Sequence, residues 1–180
     1  YAMLGVSILY LVLRQDIPLI VVAQQVAAGT DKFLLLAIPF FFLAAELMSS
    51  GGVMQRLVDF ARALVGHLRG GLGQMNVVAS MFFAGVSGSA VADAAGPGKL
   101  EIEIMRRAGY PHGFSAAITA ASATIGPIIP PSIPLVVYGS IANVSVGRLF
   151  LAGFVPGLLM GLFLMAAVWW LAGRRSFPRT

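Results

Sequence analysis

The residues with the most chemical potential sit in one passage, 82–98, which reads FFAGVSGSAVADAAGPG. An apolar run from Val77 to Val86 stops at Ser87-Gly88-Ser89. Asp93 follows among alanines, and Gly96-Pro97-Gly98 interrupts the chain again. A second interruption comes further on, at Gly126-Pro127-Ile128-Ile129-Pro130-Pro131-Ser132. A broken helix leaves carbonyls bare at the end of its first half and amide N–H groups at the start of its second. The carbonyl end attracts cations and the N–H end attracts anions. Serine hydroxyls, a carboxylate and free carbonyls are hard oxygen ligands, of which a small cation takes roughly six. Asp93 follows Ser89 by four residues, on the same helix face, which aims it back toward the tip. If the two breaks meet, Ser87, Gly88, Ser89 and Asp93 join Gly126 and Pro127 in an ion site. The plainer alternative is a tight turn followed by a helix-start carboxylate.

What favours the ion site is the setting. The chain has 180 residues, of which 58% are hydrophobic and 11% charged, where a soluble domain would be about one quarter charged. It therefore reads as an integral, multi-pass membrane protein of the all-α class, with no room for a separate soluble domain. In lipid, unpaired backbone and a deep carboxylate are tolerated only inside protein or beside a water-filled cavity, and a charge at that depth usually serves function. Cysteine is absent, which excludes disulfides and thiolate chemistry. His67 and His112 each neighbour a glycine and read as loop residues, not metal ligands. There is no phosphate-binding loop motif and no Ser-His-Asp set, so the chain reads as neither a nucleotide hydrolase nor any other enzyme, with no cofactor. Gly70-Gly71-x-Gly73 reads as a flexible joint. The net charge of +5 is the arginine excess of cytoplasmic loops and points to no nucleic-acid partner.

The elements that must position these residues follow from the hydrophobic pattern. Residues 1–13 read as the end of a transmembrane helix that starts before Tyr1, so the chain reads as a fragment. Residues 17–29 read as an interfacial helix, and 32–50 as a transmembrane helix kinked by Pro39. In 53–68, Val53, Leu57, Phe60, Ala61, Leu64, Val65 and Leu68 fall on one stripe, which predicts an amphipathic surface helix. Residues 74–105 read as a re-entrant hairpin with its tip at 87–89. Residues 112–142 read as one discontinuous transmembrane helix broken at 126–132, and 149–172 as a transmembrane helix with Trp169 and Trp170 at an interface. One long crossing helix over 74–95 is the alternative to the hairpin. With the hairpin, Arg56, Arg62, Arg69, Arg106, Arg107, Arg174, Arg175 and Arg179 share a face, against Arg14, Lys32 and Arg148 on the other. That asymmetry places the first group in the cytoplasm and favours a hairpin entered from that side. Glu103 and Arg107 form an i,i+4 pair at the cytoplasmic end, where such pairs contribute little; Glu101 is taken with them.

The stretches LLAIPFFFLAAELMSSGG, SGSAVADAAGPG, RRAGY, ATIGPIIPPSIPLVVYG and VSVGRLFLAGFVPGLLMG resemble the large permease (M) subunit of tripartite ATP-independent periplasmic (TRAP) transporters. The resemblance covers nearly the whole chain, and SGSAVAD with ATIGPIIPPS is its most specific part. The family usually has Leu-Ala-Gly where this chain has Leu43-Ala44-Ala45. That departure loses a packing glycine and touches no functional residue.

The resemblance implies one half of an inverted-repeat, elevator-type symporter in the bacterial inner membrane. Each half would carry a re-entrant hairpin and a broken helix, and Na+ would be the coupling ion. The substrate would be an organic acid anion such as a C4-dicarboxylate, a sialic acid or a related carboxylate. A periplasmic substrate-binding (P) protein would deliver it, and a small membrane (Q) subunit would brace the scaffold. It also implies that Ser87, Gly88, Ser89, Asp93, Gly126 and Pro127 hold the ion, and that Ser89, Pro130, Pro131 and Ser132 border the substrate cavity. Two other classes compete: a non-translocating membrane scaffold, and an ABC-type permease subunit. The latter would need a coupling helix for a separate ATPase, for which 53–68 is the only candidate.

Overall fold

The structure, a computed structural model, describes residues 33–174 and, before them, Val6, Tyr10, Ile20, Gln24, Ala27 and Ala28. The expected elements at 1–13 and 17–29 lie outside the described residues apart from those six positions, which are helical. The chain divides into two units, 1–36 and 37–180. No strand occurs among the described residues. In chain order the helices are α1 (Phe33–Ser50), α2 (Val53–Val65), α3 (Gly71–Ser87), α4 (Ala90–Ala95), α5 (Pro97–Arg107), α6 (His112–Ala123), α7 (Ile133–Ala142) and α8 (Val146–Arg174).

Helix α3 is the centre of the second unit. Its residues from Gly71 to Ser80 are all buried, and Phe83 and Ala84 continue the burial. A helix buried all round belongs inside other elements, and its buried polar residues Gln74, Asn76 and Ser80 are hydrogen-bonded. Here α2, α5, α6 and α8 surround it. Close approach is bought with small residues, as is usual where lipid rather than water surrounds the bundle. On α8, Gly153, Gly157 and Gly161 recur every fourth residue. A side chain at Gly153 would meet the Ile128 carbonyl, one at Gly157 would meet Ile129, and one at Gly161 would meet Met81 of α3. This glycine stripe seats α8 against both α3 and the broken segment after α6. The glycines at 70–73 are packed too: Gly70 abuts Ala172 and Val168, and Gly73 abuts Val168 and Phe114. They form a tight joint, not the flexible one expected, because α8 leaves no room for a side chain there.

Of the described residues, α8 alone is a helix long and apolar enough to cross a membrane, and only 11% of its most apolar stretch is buried. Its outward surface is therefore greasy, and its end carries the aromatic and basic pairs of an interface. The Arg174 guanidinium lies 4.2 Å from the Trp170 ring centre, and that of Arg69 lies 5.5 Å from Trp169.

Helix α2 ends at Val65, three residues before the expected limit. Val58, which lies off the expected stripe, faces the core with Ala61 and Val65, while Phe60, Leu64 and Leu68 of the stripe stay exposed, so the buried face is turned to one side of the expected one. The chain then doubles back after α3. Asn76 near the start of α3 bonds Glu101 of α5, 25 residues later. The returning limb is in two pieces, because Pro97 has no N–H for the Asp93 carbonyl and Gly96 takes a non-helical conformation. Helix α5 ends at Arg107, and just beyond it the Tyr110 N–H donates to the Met105 carbonyl and the Gly109 N–H to that of Arg106, both at 3.0 Å.

The glycine stripe makes a direct prediction. Gly157→Leu should lower stability by about 1–3 kcal/mol through overpacking against Ile129. Gly173→Leu, with nothing within 4 Å, should leave it unchanged. Thermal unfolding in detergent measures both, and equal effects would refute the seating role.

Candidate functional site where two broken helices meet

The hairpin tip is made by three residues with distinct tasks. Gly88 closes α3 in a left-handed conformation, φ +57°, and its N–H donates to the Ala84 carbonyl at 3.3 Å. Ser89 caps α4: its backbone is extended and its Oγ accepts from the Ala92 N–H at 3.4 Å. Ser87 turns inward. Its Oγ–H donates to Asp93 Oδ1, and the same oxygen accepts from the Ser89 N–H at 3.2 Å. Asp93 is only 4% exposed, so its carboxylate lies within protein. Its second oxygen, Oδ2, is buried without a hydrogen-bond partner.

The second break is written in its prolines. A carbonyl at position i in a helix accepts from the N–H at i+4, and proline has none. Pro130 stands four residues after Gly126, Pro131 after Pro127, and Pro134 after Pro130. The carbonyls of Gly126, Pro127 and Pro130 therefore lose their helical donors. Ser132 recovers one of them. Its Oγ–H donates to the Pro127 carbonyl while the oxygen caps α7 by accepting from the Leu135 N–H at 3.3 Å. Ser132 is fully buried.

The two breaks are in contact. A side chain at Gly88 would strike the Pro131 carbonyl, the Ile133 nitrogen and Ser132 Cα, at 2.8, 2.9 and 3.1 Å. One at Gly126 would strike Asp93 Oδ2 and the backbone of Ser89. The structure thus brings Ser87, Gly88, Ser89 and Asp93 together with Gly126, and sets Pro131 and Ser132 against Gly88. Pro127 joins through Ser132. Pro130 is more peripheral: a side chain at Gly85 would come within 3.8 Å of its carbonyl. The unpartnered Oδ2, the Ser87 hydroxyl and the carbonyls stripped of donors are the oxygen-rich surroundings a small cation takes.

One part of this region escaped the sequence reading. Asn76 Nδ2 donates to Glu101 Oε2 at 2.6 Å and to Thr119 Oγ1 at 2.7 Å. Ser122 Oγ donates to Asn76 Oδ1 at 2.8 Å, and Ser80 Oγ donates to Ser122 Oγ at 2.9 Å. Glu101 is 1% exposed. It belongs to this buried network, not with Glu103, whose ion pairs to Arg106 (2.9 Å) and Arg107 (2.8 Å) lie at the surface as expected. The signal was available: Pro97, Glu101 and Met105 are spaced four apart, so Glu101 shares the inward face of α5.

The described elements are all helical, with a buried carboxylate where two interrupted helices meet, an arrangement that fits the class of membrane transport proteins with broken-helix sites. The family described as "Tripartite ATP-independent periplasmic transporter, DctM component" matches residues 1–180, and the chain belongs to it. It is 46% identical over 177 residues to the sialic acid TRAP transporter large permease protein of Vibrio cholerae, which covers 98% of this chain and 42% of that protein. It is 48% identical over 159 residues to the 2,3-diketo-L-gulonate TRAP transporter large permease protein of Escherichia coli, covering 88% of this chain and 37% of that protein. With the C4-dicarboxylate TRAP transporter large permease protein of Pseudomonas aeruginosa it shares 49% identity over 149 residues, covering 83% and 35%. The chain thus spans less than half the length of these relatives.

Gly88 allows a test of the contact. Gly52 is also left-handed, φ +71°, but has nothing within 4 Å. Gly52→Ala should therefore cost only the backbone strain, about 1 kcal/mol. Gly88→Ala adds a collision with the Pro131–Ile133 backbone and should cost clearly more. If thermal unfolding of the full-length permease gives equal losses, the tip does not press on the break.

Proposed function

We propose that this chain is part of the membrane permease of a Na+-coupled importer of organic acid anions, in the bacterial inner membrane. The observation that carries the reading is the buried, unpartnered Asp93 Oδ2 beside Gly126, at the meeting point of two helix breaks. Ser87, Asp93 and the carbonyls around Gly88, Ser89, Gly126 and Pro127 would hold Na+. The ion would supply the positive charge that the carboxylate otherwise lacks. Ser89, Pro130, Pro131 and Ser132 would border the space for the substrate carboxylate, near the N-terminus of α7. That end of a helix favours anions.

The named relatives carry sialic acid, diketogulonate or C4-dicarboxylates, which share a carboxylate and differ in the rest. The common feature fits an ion-and-carboxylate site of this kind, with the remainder of the substrate read elsewhere. A periplasmic binding protein would deliver the substrate and a small membrane subunit would complete the scaffold. The hairpin α3–α5 would be the moving element. An elevator-like displacement would carry it with its ion, since its tip, cap and carboxylate are all on one continuous stretch of chain.

The test is Na+-driven uptake by the full-length permease, reconstituted with its binding protein and small subunit. Ser87→Ala and Asp93→Asn should each reduce uptake at least about tenfold, equivalent to about 1.4 kcal/mol at the ion. If both leave Na+-driven uptake intact, the ion site is misassigned. Residues 1–180 alone should give no uptake in the same vesicles.

A further inference from the structure

Glu101 poses a problem that the ion site does not solve. It is 1% exposed, and its Oε1 is buried without a hydrogen-bond partner. The two ion pairs among the described residues both belong to Glu103. The elements packed round Glu101 bring it no cation. Helix α3 contains no titratable residue, and α6 has only His112, exposed at its far end. Helix α4 contributes Asp93, which is also acidic. On α5 itself, Lys99, Arg106 and Arg107 are exposed. A bare carboxylate so placed would be an uncompensated buried charge, which proteins avoid by pairing or by neutralising the group.

A metal ion is a poor way to neutralise it. Asp93 lies where prolines have stripped carbonyls of their donors. Glu101 lies opposite Asn76 and Thr119, within the unbroken helices α3 and α6, whose carbonyls are engaged in their own ladders. The side-chain oxygens nearby are occupied as well. Thr119 Oγ1 accepts from Asn76, and Asn76 Oδ1 accepts from Ser122. One free oxygen, Oε1, is far short of a cation's ligand set.

We propose that Glu101 is a proton-binding site: it holds its proton on Oε1 as a neutral acid while Oε2 accepts from Asn76. The group needs no metal and no counter-ion. Its neutrality also keeps a second negative charge away from Asp93 on the same limb. That last consequence rests on the ion-site reading above; the proton itself does not. Neutral Glu101 then ties α5 to α3 and α6 through Asn76, Thr119 and Ser122.

Infrared spectroscopy of the full-length permease in its complex with the small subunit tests this directly. Glu101→Gln should remove a protonated-carboxyl C=O stretch present in the wild type at neutral pH. Asp93→Asn should leave that band in place and unresponsive to added Na+. Asn76→Ala, which removes the donor to Oε2 together with the bonds to Thr119 and Ser122, should shift the same band to higher frequency, and serves if Glu101→Gln does not fold. The proposal is overturned if Glu101→Gln removes carboxylate bands instead. A Glu101 signal that moves with Na+ in Asp93→Asn would equally overturn it and make Glu101 a metal ligand. Loss of Na+-driven uptake in Asp93→Asn with the Glu101 band intact separates this question from that of the ion site.

Discussion

The arrangement depends on a rule about backbone: a polar main-chain group buried away from water must find a partner. Two stretches of this chain abandon the helical ladder at depth, at 87–89 and at 124–132. Each alone would be costly. Pressed together, they supply one another with neighbours, and side chains complete the pairing where backbone cannot. Ser132 shows this most clearly. One hydroxyl both answers the Pro127 carbonyl and caps α7. Ser87 does the equivalent at the tip, answering the Ser89 N–H and the Asp93 carboxylate with one oxygen. Gly88 is the condition for all of it, since any side chain there would hold the two backbones apart.

The surrounding helices can be understood as the housing this seam needs. Helix α3 is buried on all sides over its first ten residues, and α8 offers glycines where the broken segment has to pass. The stripe Gly153, Gly157 and Gly161 faces Ile128, Ile129 and Met81 in turn, so a single helix backs both partners in the seam. The outer surface of α8 is left apolar, as suits a helix in lipid. The same helix turns glycines to the seam on one side and an apolar surface outward on the other.

Much of this was readable in advance, and the reason is that breaks are written in local chemistry. Ser-Gly-Ser, Gly-Pro and Pro-Pro interrupt a ladder wherever they occur, so both interruptions and the deep carboxylate stood out from a greasy background. That they touch was an inference from cost, and the contacts of Gly88 and Gly126 now give it a geometry. What was less legible depended on packing between distant segments. The glycines at 70–73 read as a flexible joint, because nothing local shows that Val168 and Ala172 fill the space beside them. A stripe on α2 was seen, but the face that is buried is turned from it to include Val58, which only the packing of the neighbouring helices decides. Glu101 was grouped with Glu103 because sequence proximity to Arg106 and Arg107 is visible, whereas Asn76 is 25 residues away.

The two buried carboxylates make the physical point best. Asp93 and Glu101 lie on one limb of one hairpin, both almost wholly hidden, and both with one oxygen unpartnered. Chemically the groups are nearly the same. What differs is the backbone opposite them. Asp93 faces Gly126, whose carbonyl has a proline four residues on and so no helical donor; Glu101 faces Asn76 and Thr119, where the ladders are whole. A carboxylate among freed carbonyls has the company a cation needs. A carboxyl among satisfied helices lacks those ligands, and a proton is what neutralises it without them. On the readings proposed above, proline placement four residues downstream would decide which kind of positive charge each acid takes, without touching either side chain.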